Sequence, residues 1–330
     1  MTKTVTLGEI IEMQLGDVFE FVRNGVPIQQ HDQAIGVPIT RIETIADGNI
    51  DAKKFGYANI SDLTKYRGYY LEQGDILMSH INSMKHLAKC ALYDTEPETL
   101  IHGMNLLCLR PQKDRLNAKY ALYYLRSNPF LRQIPSIANQ SVNQASFSVS
   151  SLKKLIFPLP PLPEQRRIAA LLDRADALRQ KGRQLLAHYD KLAQSIFIDL
   201  FGDPVRNEKG WEKVKIRDLV KEVKYGTSKP AEDKGAFPYL RMNNITYEGQ
   251  WNFTDLKYIN LTKAEESKYL LQKGDLVFNR TNSKELVGKT AVYQGDNQMA
   301  IAGYLIRSRV NEKATPEYIS AYLNSVVLKK

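Results

Sequence analysis

The stretch of this sequence nearest to a nucleotide-binding motif is SKELVGKT, Ser283–Thr290. A phosphate-binding P-loop needs glycine where Ser283 stands, because its backbone N–H groups must close around a phosphate. An equivalent stretch earlier in the chain reads SMKHLAKC and has Ala88-Lys89-Cys90 in place of GKT. A segment that two parts of the chain share in this way is more typical of a structural strand than of a nucleotide site.

The other candidates for catalysis are also incomplete. Ser127–Phe130, SNPF, has Asn128 where the Pro-Pro-aromatic tetrapeptide of amino-group methyltransferases needs proline, and we expect Asn128-Pro129 to end a helix. No PD…ExK nuclease pattern is evident. Of the five histidines, His80, His86 and His102 lie in one part of the chain. The matching positions in the similar later part hold Arg280, Leu286 and Ala302, which cannot replace them as metal ligands, so metal binding is disfavoured. The sequence predicts no catalytic residue, no metal and no cofactor.

Hydrogen bonding to nucleic-acid bases and phosphates is the chemistry that the polar side chains suit best. Candidates cluster where two similar segments differ: Arg41, His80, Asn82, Lys85 and Lys89 in the first, and Arg241, Asn243, Asn244, Arg280, Asn282, Lys284 and Lys289 in the second. The exchanges of His80 for Arg280 and of Thr44 for Asn244 are what two domains reading different sequences would show. Asn82 and Asn282 are explained equally well as turn residues.

A second candidate contact loop is the polar run Ser136–Ser148, in which Gln140, Asn143 and Gln144 could pair with adenine. A solvated loop that contacts nothing explains the same run, and both interpretations stay open.

Charge favours a polyanionic partner. The 330 residues carry a net charge of +10, and residues 205–330 contribute 22 basic against 15 acidic side chains. A basic surface that only maintains solubility explains this as well as nucleic acid does. Because no apolar run is long enough for a membrane span and Glu9 and Glu12 interrupt the N-terminus, we expect a cytoplasmic protein. The two cysteines, Cys90 and Cys108, form no metal or disulfide motif and are expected to be buried.

The chain contains an internal repeat with an offset of about 200 residues. LEQGDILMSHINS, Leu71–Ser83, returns as LQKGDLVFNRTNS, Leu271–Ser283, and Lys119–Ser127 returns as Glu317–Ser325. Each copy shows short strands punctuated by Gly and Asn, followed by a short helix. We therefore predict a mixed α/β fold of two similar α+β domains, each with a curled sheet and no doubly wound parallel sheet.

A proline collar and a long helix are predicted between the copies. Pro158–Gln165, PLPPLPEQ, is an extended approach to a helix N-terminus, and Phe201–Pro204, FGDP, supplies a glycine cap and a stopping proline. The predicted parts are residues 1–157, a first domain; 158–200, the collar and spacer helix; and 201–330, a second domain. About 37 helical residues span roughly 55 Å, about one and a half turns of B-DNA.

The predicted helix has an apolar seam at heptad spacing, formed by Ile168, Leu171, Ala175, Leu178, Gly182, Leu185, Tyr189, Leu192 and Ile196. A seam of this length must be covered. We expect a partner helix to cover it, and packing on the helix's own domains is the alternative.

Together these features resemble the specificity subunit of Type I restriction-modification enzymes. The resemblance is carried by the repeated domain, by PLPPLPEQRRIAALLDRADAL at Pro158–Leu178, and by FGDP followed by Gly210-Trp211. It spans essentially the whole chain. It implies two target recognition domains that each read half of a bipartite double-stranded DNA site, no catalytic centre, and docking on methyltransferase subunits and through them on a restriction subunit.

One feature departs from the family pattern, in which a second collar and helix follow the second recognition domain. The sequence stops at SVVLKK, Ser325–Lys330, before that segment, and two interpretations stay open: a truncated form of the subunit, or a form that borrows a covering helix from a second copy. The alternative function is a stand-alone nucleic-acid-binding adaptor without a methyltransferase partner. An autonomous enzyme is disfavoured because no catalytic group is shared by the two copies.

Overall fold

A computed structural model describes residues 10–94, 99–142, 144–281, 283 and 287–325. The chain divides into two compact units, Met1–Gln180 and Lys181–Lys330, called unit 1 and unit 2 below. The division falls inside the longest helix of the described chain.

The elements of unit 1 are short strands joined by 3₁₀ turns. The strands are β1 (Ile11–Gln14), β2 (Phe19–Asn24), β3 (Val37–Ile39), β4 (Gly56–Ala58), β5 (Ile76–Ser79), β6 (Ile81–Asn82), β7 (Cys90–Leu92), β8 (Leu106–Pro111), β9 (Asn139–Gln140), β10 (Ala145–Ser146) and β11 (Ile156–Leu159). The helices are α1 (Ala118–Leu125), α2 (Asn128–Leu131), α3 (Val149–Lys153) and α4 (Leu162–Phe201), which continues into unit 2.

Unit 2 has fewer elements within its described residues. Its strands are β12 (Val220–Tyr225), β13 (Phe237–Leu240), β14 (Lys257–Ile259), β15 (Leu276–Asn279), β16 (Thr290–Val292), β17 (Ala300–Ile301) and β18 (Leu305–Val310). Its helices besides α4 are α5 (Lys263–Tyr269) and α6 (Pro316–Leu323).

The two units share one sheet topology. The principal sheet has the order β2-β8-β5-β7 in unit 1 and β12-β18-β15-β16 in unit 2, and all neighbours are antiparallel. Both sheets also carry a register shift at the same place, between Phe19 and Phe21 and between Val220 and Glu222. The predicted repeat and the mixed α/β fold class are confirmed.

A buried aspartate fixes the turn into the central strand of each sheet. Asp75 accepts the backbone N–H of Glu72 at 2.8 Å and two hydrogen bonds from Arg110 on β8, each 2.8 Å. In unit 2 Asp275 accepts the N–H of Gln272 at 2.8 Å, and Arg309 on β18 donates to it at 2.9 Å. The preceding glycine of each Gly-Asp pair has a positive φ, 98° and 87°, which side chains rarely adopt. The carboxylate therefore joins a local turn to a strand distant in sequence.

Unit 2 adds a second arginine to this arrangement. Arg307 stands opposite Val277, as Cys108 stands opposite Leu77 in unit 1. Its side chain is fully buried, Nη1 donates to the carbonyl oxygen of Leu270 at 2.9 Å, and Nη2 lies 3.1 Å from a Glu222 carboxylate oxygen. Burial lowers the pKa of the Arg307 guanidinium. Asp275 and Glu222 are thus needed to balance a cation inside the unit.

Helix α4 begins at Leu162, inside the segment Pro158–Gln165 that is predicted to lead into a helix, and ends at Phe201, one residue beyond the predicted end at residue 200. Gly202, at a φ of 79°, ends it, as the FGDP sequence predicts. The expectation for Asn128-Pro129 is corrected: α1 ends at Leu125, and Ser127 caps a new helix in which Pro129 occupies the first turn. Within the described residues, none of the helices combines the length and apolarity that crossing a bilayer requires.

Replacing Asp275 by asparagine is expected to destabilise unit 2 by about 3–5 kcal/mol, because the buried cation of Arg307 loses a neighbouring carboxylate. Urea-induced unfolding followed by circular dichroism measures the change. The matched control is Asp255→Asn. The Asp255 side chain is 66% exposed and forms its ion pair with Arg241 at the surface. The control should change stability by less than about 1 kcal/mol. Equal unfolding midpoints for Asp275→Asn and the unmodified chain would contradict this account.

Candidate nucleic-acid interface

Arg41 and Arg241 are held within their own units by matching contacts. Arg41 Nη1 donates to Asp32 Oδ1 at 2.6 Å, and its Nε donates to Gln30 Oε1 at 2.8 Å. Arg241 Nη2 donates to Asp255 Oδ2 at 2.9 Å and to the carbonyl oxygen of the same residue at 3.1 Å. Only 28% and 26% of the two side chains are exposed. Each arginine therefore stabilises the loop that packs beside its strand.

Thr44 and Asn244 occupy the same buried position and have the same function. Thr44 Oγ1 accepts the backbone N–H of Arg41 at 2.9 Å, and Asn244 Oδ1 accepts that of Arg241 at 2.8 Å. Both side chains thereby cap a 3₁₀ turn, Ile42–Ile45 or Met242–Asn244. The exchange of threonine for asparagine therefore has a structural explanation, because either side chain can cap this turn.

Lys89 and Lys289 direct their ammonium groups to the ends of the same two turns. Lys89 Nζ donates to the carbonyl oxygen of Ala46 at 2.7 Å. Lys289 Nζ donates to those of Met242 at 2.9 Å and Ile245 at 2.5 Å. Burial lowers the pKa of Lys289. Contact of either ammonium group with a phosphate would require it to leave these carbonyls.

The end of the central strand differs between the units. In unit 1 His80 is only 8% exposed, its ring centroid lies 6.4 Å from that of Phe147, and burial lowers its pKa. In unit 2 Arg280 is exposed, with its guanidinium carbon 4.9 Å from the centroid of the Tyr225 ring and Nε donating to the carbonyl oxygen of Gly303 at 3.2 Å. The same position presents a buried imidazole in one unit and a fixed, exposed cation in the other.

In unit 1 this strand end is followed by a small sheet of order β6-β10-β9. Asn82 pairs with Ala145, which pairs with Gln140 on its other side. Gln140 and Gln144 are exposed, and Val142, in the loop between them, is 97% exposed. The structure thus places Asn82 and Gln140 in one small sheet, with Gln144 in the loop that leads into β10, and the same loop exposes Val142, which a search for polar residues missed. Its signal in the sequence is an apolar residue among the polar residues between Asn139 and Gln144.

The remaining predicted residues lie at turns or outside the described chain. Lys85 is exposed in the 3₁₀ turn Met84–His86, and the exposed Asn243 donates from Nδ2 to Asp255 Oδ2 at 3.3 Å. Outside the described residues lie Asn143, Asn282 and Lys284. None of the predicted DNA contacts is tested by this structure, and they stay predictions.

The exposed groups suit noncovalent reading of base edges. Carboxamides pair with adenine, a guanidinium pairs with guanine, and valine methyls contact the C5-methyl group of thymine. Burial raises the pKa of the Cys90 thiol to about 12, so that thiol is not a nucleophile near neutral pH. Within the described part of the chain, no group of three or more His, Cys, Asp and Glu side chains could hold a metal ion.

The apolar seam of α4 forms a second candidate surface. Ile168 packs against the core of unit 1, so the seam is covered by its own unit at this end. Leu171, Leu178, Leu185, Tyr189, Leu192 and Ile196 are between 49% and 70% exposed. At Gly182 an added Cβ would meet no atom within 4 Å. The middle of the seam is therefore open to a partner.

Comparison with known proteins points to one family. Residues 9–187 and 208–328 match the family model described as the Type I restriction modification DNA specificity domain. Over 224 residues, 66% of this chain, it is 41% identical to the protein named the type I restriction enzyme MjaX specificity subunit of Methanocaldococcus jannaschii, and the match covers 52% of that protein. It is 23% identical to the EcoKI specificity subunit of Escherichia coli over 88% of this chain and 65% of that one.

A solved structure has a similar fold. The Type I restriction-modification S subunit from M. genitalium matches with a TM-score of 0.55 and 14% identity, over 99% of this chain and 79% of that chain. The chain spans only about half to two thirds of the curated relatives above, 52% and 65% of their lengths.

His102 leads us to expect that unit 1 loses stability in mild acid. The side chain is 1% exposed, Nε2 lies 2.9 Å from the carbonyl oxygen of Leu106, and burial lowers its pKa from 6.5 to about 4. Between these values the unfolded chain binds a proton that the folded chain does not, so the free energy of unfolding decreases as the pH falls from 6.5 to about 4. The loss is at most roughly 3 kcal/mol.

Urea unfolding at several pH values tests this expectation. His102→Ala copies Ala302, the residue at the equivalent place in unit 2. The variant should reduce the loss of stability in this pH window, although its absolute stability is lower. An unchanged pH dependence would show that His102 is not the group responsible.

Proposed function

The chain belongs to the Type I restriction modification DNA specificity domain family, and on that premise we propose that it reads the two halves of a bipartite DNA target for a restriction-modification enzyme. In this role unit 1 and unit 2 each bind one half-site in double-stranded DNA. The chain itself is not catalytic. Methyltransferase subunits, which carry S-adenosylmethionine, bind to it and perform the chemistry, and a restriction subunit joins through them.

The observation that supports two different half-sites is the contrast at one position of a shared frame. The sheets, the Gly-Asp turns and the capped 3₁₀ turns are equivalent in both units, whereas the end of the central strand carries buried His80 or exposed Arg280. A frame that stays constant while its exposed edge changes is expected of two domains that read different sequences.

In unit 2 we propose that Arg280 contacts guanine. The Tyr225 ring and the carbonyl oxygen of Gly303 fix the guanidinium and reduce the entropy lost on binding. A fixed planar fork fits the O6 and N7 acceptors of guanine in the major groove, which a flexible ammonium group cannot contact in the same bidentate way.

In unit 1 we propose that the β9–β10 hairpin makes the corresponding contacts. Its exposed Gln140 and Gln144 offer both a donor and an acceptor, the pattern that adenine requires. Val142 between them offers only methyl groups, which fit against thymine. Unit 1 would therefore prefer A·T pairs where this hairpin enters the groove.

We propose further that the open seam of α4 binds a helix of a methyltransferase subunit. Its leucines are spaced for knobs-into-holes packing, and Gly182 allows close approach of a partner backbone. A helix from a second copy of this chain is the other partner that the seam fits. Light scattering of the purified chain distinguishes them, since only self-association raises the mass in the absence of other subunits.

Arg280→Ala and Arg280→Lys are expected to separate base reading from phosphate binding. Each should weaken binding by roughly 5–150-fold at one base pair of a single half-site, because the bidentate contact is lost, while the other half-site is read unchanged. Selection from random DNA duplexes, followed by competition binding with single-base variants, measures this.

The control is Arg206→Ala, which removes a cation whose side chain is 74% exposed at a different place in unit 2. It should leave the selected sequence unchanged. If Arg280→Ala weakens all duplexes equally and Arg280→Lys restores binding, Arg280 contacts phosphate and the proposed guanine contact is wrong.

The double variant Leu178→Asp with Leu185→Asp is expected to abolish copurification with the methyltransferase subunit. In the free chain both positions are exposed, so the carboxylates cost little, but within a helix interface they would be buried without partners. Gln180→Asp with Ala187→Asp is the matched control, because these positions lie on the opposite side of the helix. Copurification that survives in the seam variant at the level of the control would refute docking along this seam.

A further inference from the structure

A cavity of about 650 Å³ lies beside the small β6-β10-β9 sheet of unit 1. Four polar side chains that line it come from four different elements: Asn24 from the end of β2, Asn139 from β9, Ser146 from β10 and Lys153 from α3. Among the described residues, none of these four side chains has a hydrogen-bond or ion-pair partner. Groups that could bind a polar ligand therefore meet at one place and are not used within the unit.

His80 also lines this cavity, and its ring is unpaired as well. The residue is only 8% exposed and packs against Phe147, and burial lowers its pKa, so the ring is neutral near neutral pH. Nδ1 is enclosed without a hydrogen-bond partner, which leaves Nε2 as the nitrogen that can face the cavity. A buried N–H without an acceptor is rarer than a buried acceptor without a donor, so the proton resides on Nε2 and is available to a ligand.

Lys153 brings a positive charge to the cavity. Its stem packs on the backbone of Gly16, where an added Cβ would lie 3.0 Å from Lys153 Cβ, so the side chain is partly fixed before a ligand binds. The described residues that line the cavity include no aspartate or glutamate that could neutralise the ammonium group. This part of the chain thus combines one cation with uncharged hydrogen-bond donors.

We propose that the cavity binds one phosphodiester group of the DNA backbone, an inference that rests on the proposed function. Lys153 neutralises the phosphate, while Nε2 of His80 and the hydroxyl of Ser146 donate to its oxygens. The carboxamides of Asn24 and Asn139 donate from the rim. Because phosphate contacts set register and orientation on a duplex, this contact would fix the β9–β10 hairpin in place while the hairpin reads bases.

The charge of the lining favours a diester over a terminal phosphate. A phosphodiester of DNA carries one negative charge, which the Lys153 ammonium group balances. A phosphate monoester carries about −1.5 to −2 near pH 7 and would keep part of that charge unbalanced in the cavity.

The position of the cavity agrees with a backbone contact. Asn139 and Ser146 are directly paired across β9 and β10, so their side chains lie on the same face of the hairpin. The cavity is therefore next to the hairpin that is proposed to enter the groove, where the phosphates that flank the groove are within reach.

Lys153→Gln tests the site in the full chain, on the duplex that the chain selects. We expect about tenfold weaker binding, and a plot of log K against log salt concentration whose slope is smaller by about one, because one phosphate contact is lost. The selected sequence should stay the same, since a phosphate carries no sequence information. The matched control is Lys154→Gln, which removes the same charge from an exposed neighbouring side chain and should leave the slope unchanged.

Duplexes that carry a single uncharged methylphosphonate identify the phosphate. At one backbone position beside the half-site of unit 1, this replacement should weaken binding of the unmodified chain about tenfold and should not weaken binding of the Lys153→Gln chain further. Asn24→Ala, at an exposed position where folding is not at risk, should weaken binding of the unmodified duplex about fivefold. Circular dichroism verifies that each variant is folded.

The proposal is overturned if Lys153→Gln and Lys154→Gln have the same salt slope, or if no methylphosphonate position separates Lys153→Gln from the unmodified chain. It is also overturned if Lys153→Gln changes the selected bases. Tight binding of inorganic phosphate alone, lost in Lys153→Gln, would overturn it too, because the cavity would then hold a free phosphate. These failures leave the selected two-part sequence intact, whereas a chain that selects no duplex refutes the proposed function and this inference together.

Discussion

The structure depends most on the buried aspartate that follows glycine before the central strand of each sheet. Asp75 and Asp275 each close a turn locally and accept a hydrogen bond from an arginine on a strand some 35 residues further along the chain, at Arg110 and Arg309. Because a buried carboxylate is stable only while all its oxygens are paired, this contact requires the turn and both strands to be in register together. The direction of the central strand, and so of the residue at its far end, follows from it.

That dependence explains how one frame can present different surfaces. The groups that hold the frame are equivalent in both units: the aspartate, the capped 3₁₀ turn, and the lysine whose ammonium group closes that turn. Residues beyond the frame carry no such constraint, and there the units differ, with a carboxamide hairpin in unit 1 and Arg280 on Tyr225 in unit 2. Variation at these edges changes the exposed surface without affecting how the unit folds.

The parts that sequence predicted are those set by local pattern. The heptad spacing of α4 and its glycine end, the repeat, and the strands after each Gly-Asp pair all depend on neighbouring residues, and the structure confirms them. The environment of single polar residues could not be predicted in the same way, because it depends on contacts across the fold. Lys89 donates to Ala46, and Ala145 pairs with Asn82, through contacts that no local pattern records. The prediction that Asn128-Pro129 ends a helix was wrong for a different reason. Proline is compatible with the first turn of a helix as well as with the end of one.

We propose that two similar units read two different half-sites on one duplex. Methylome sequencing of cells with and without the gene for this chain tests it most directly, because it reports the target that the assembled enzyme recognises. We expect one methylated motif, made of two specified blocks separated by an unspecified spacer, that disappears when the chain is removed. Loss of a single continuous motif, or an unchanged methylome, would contradict it.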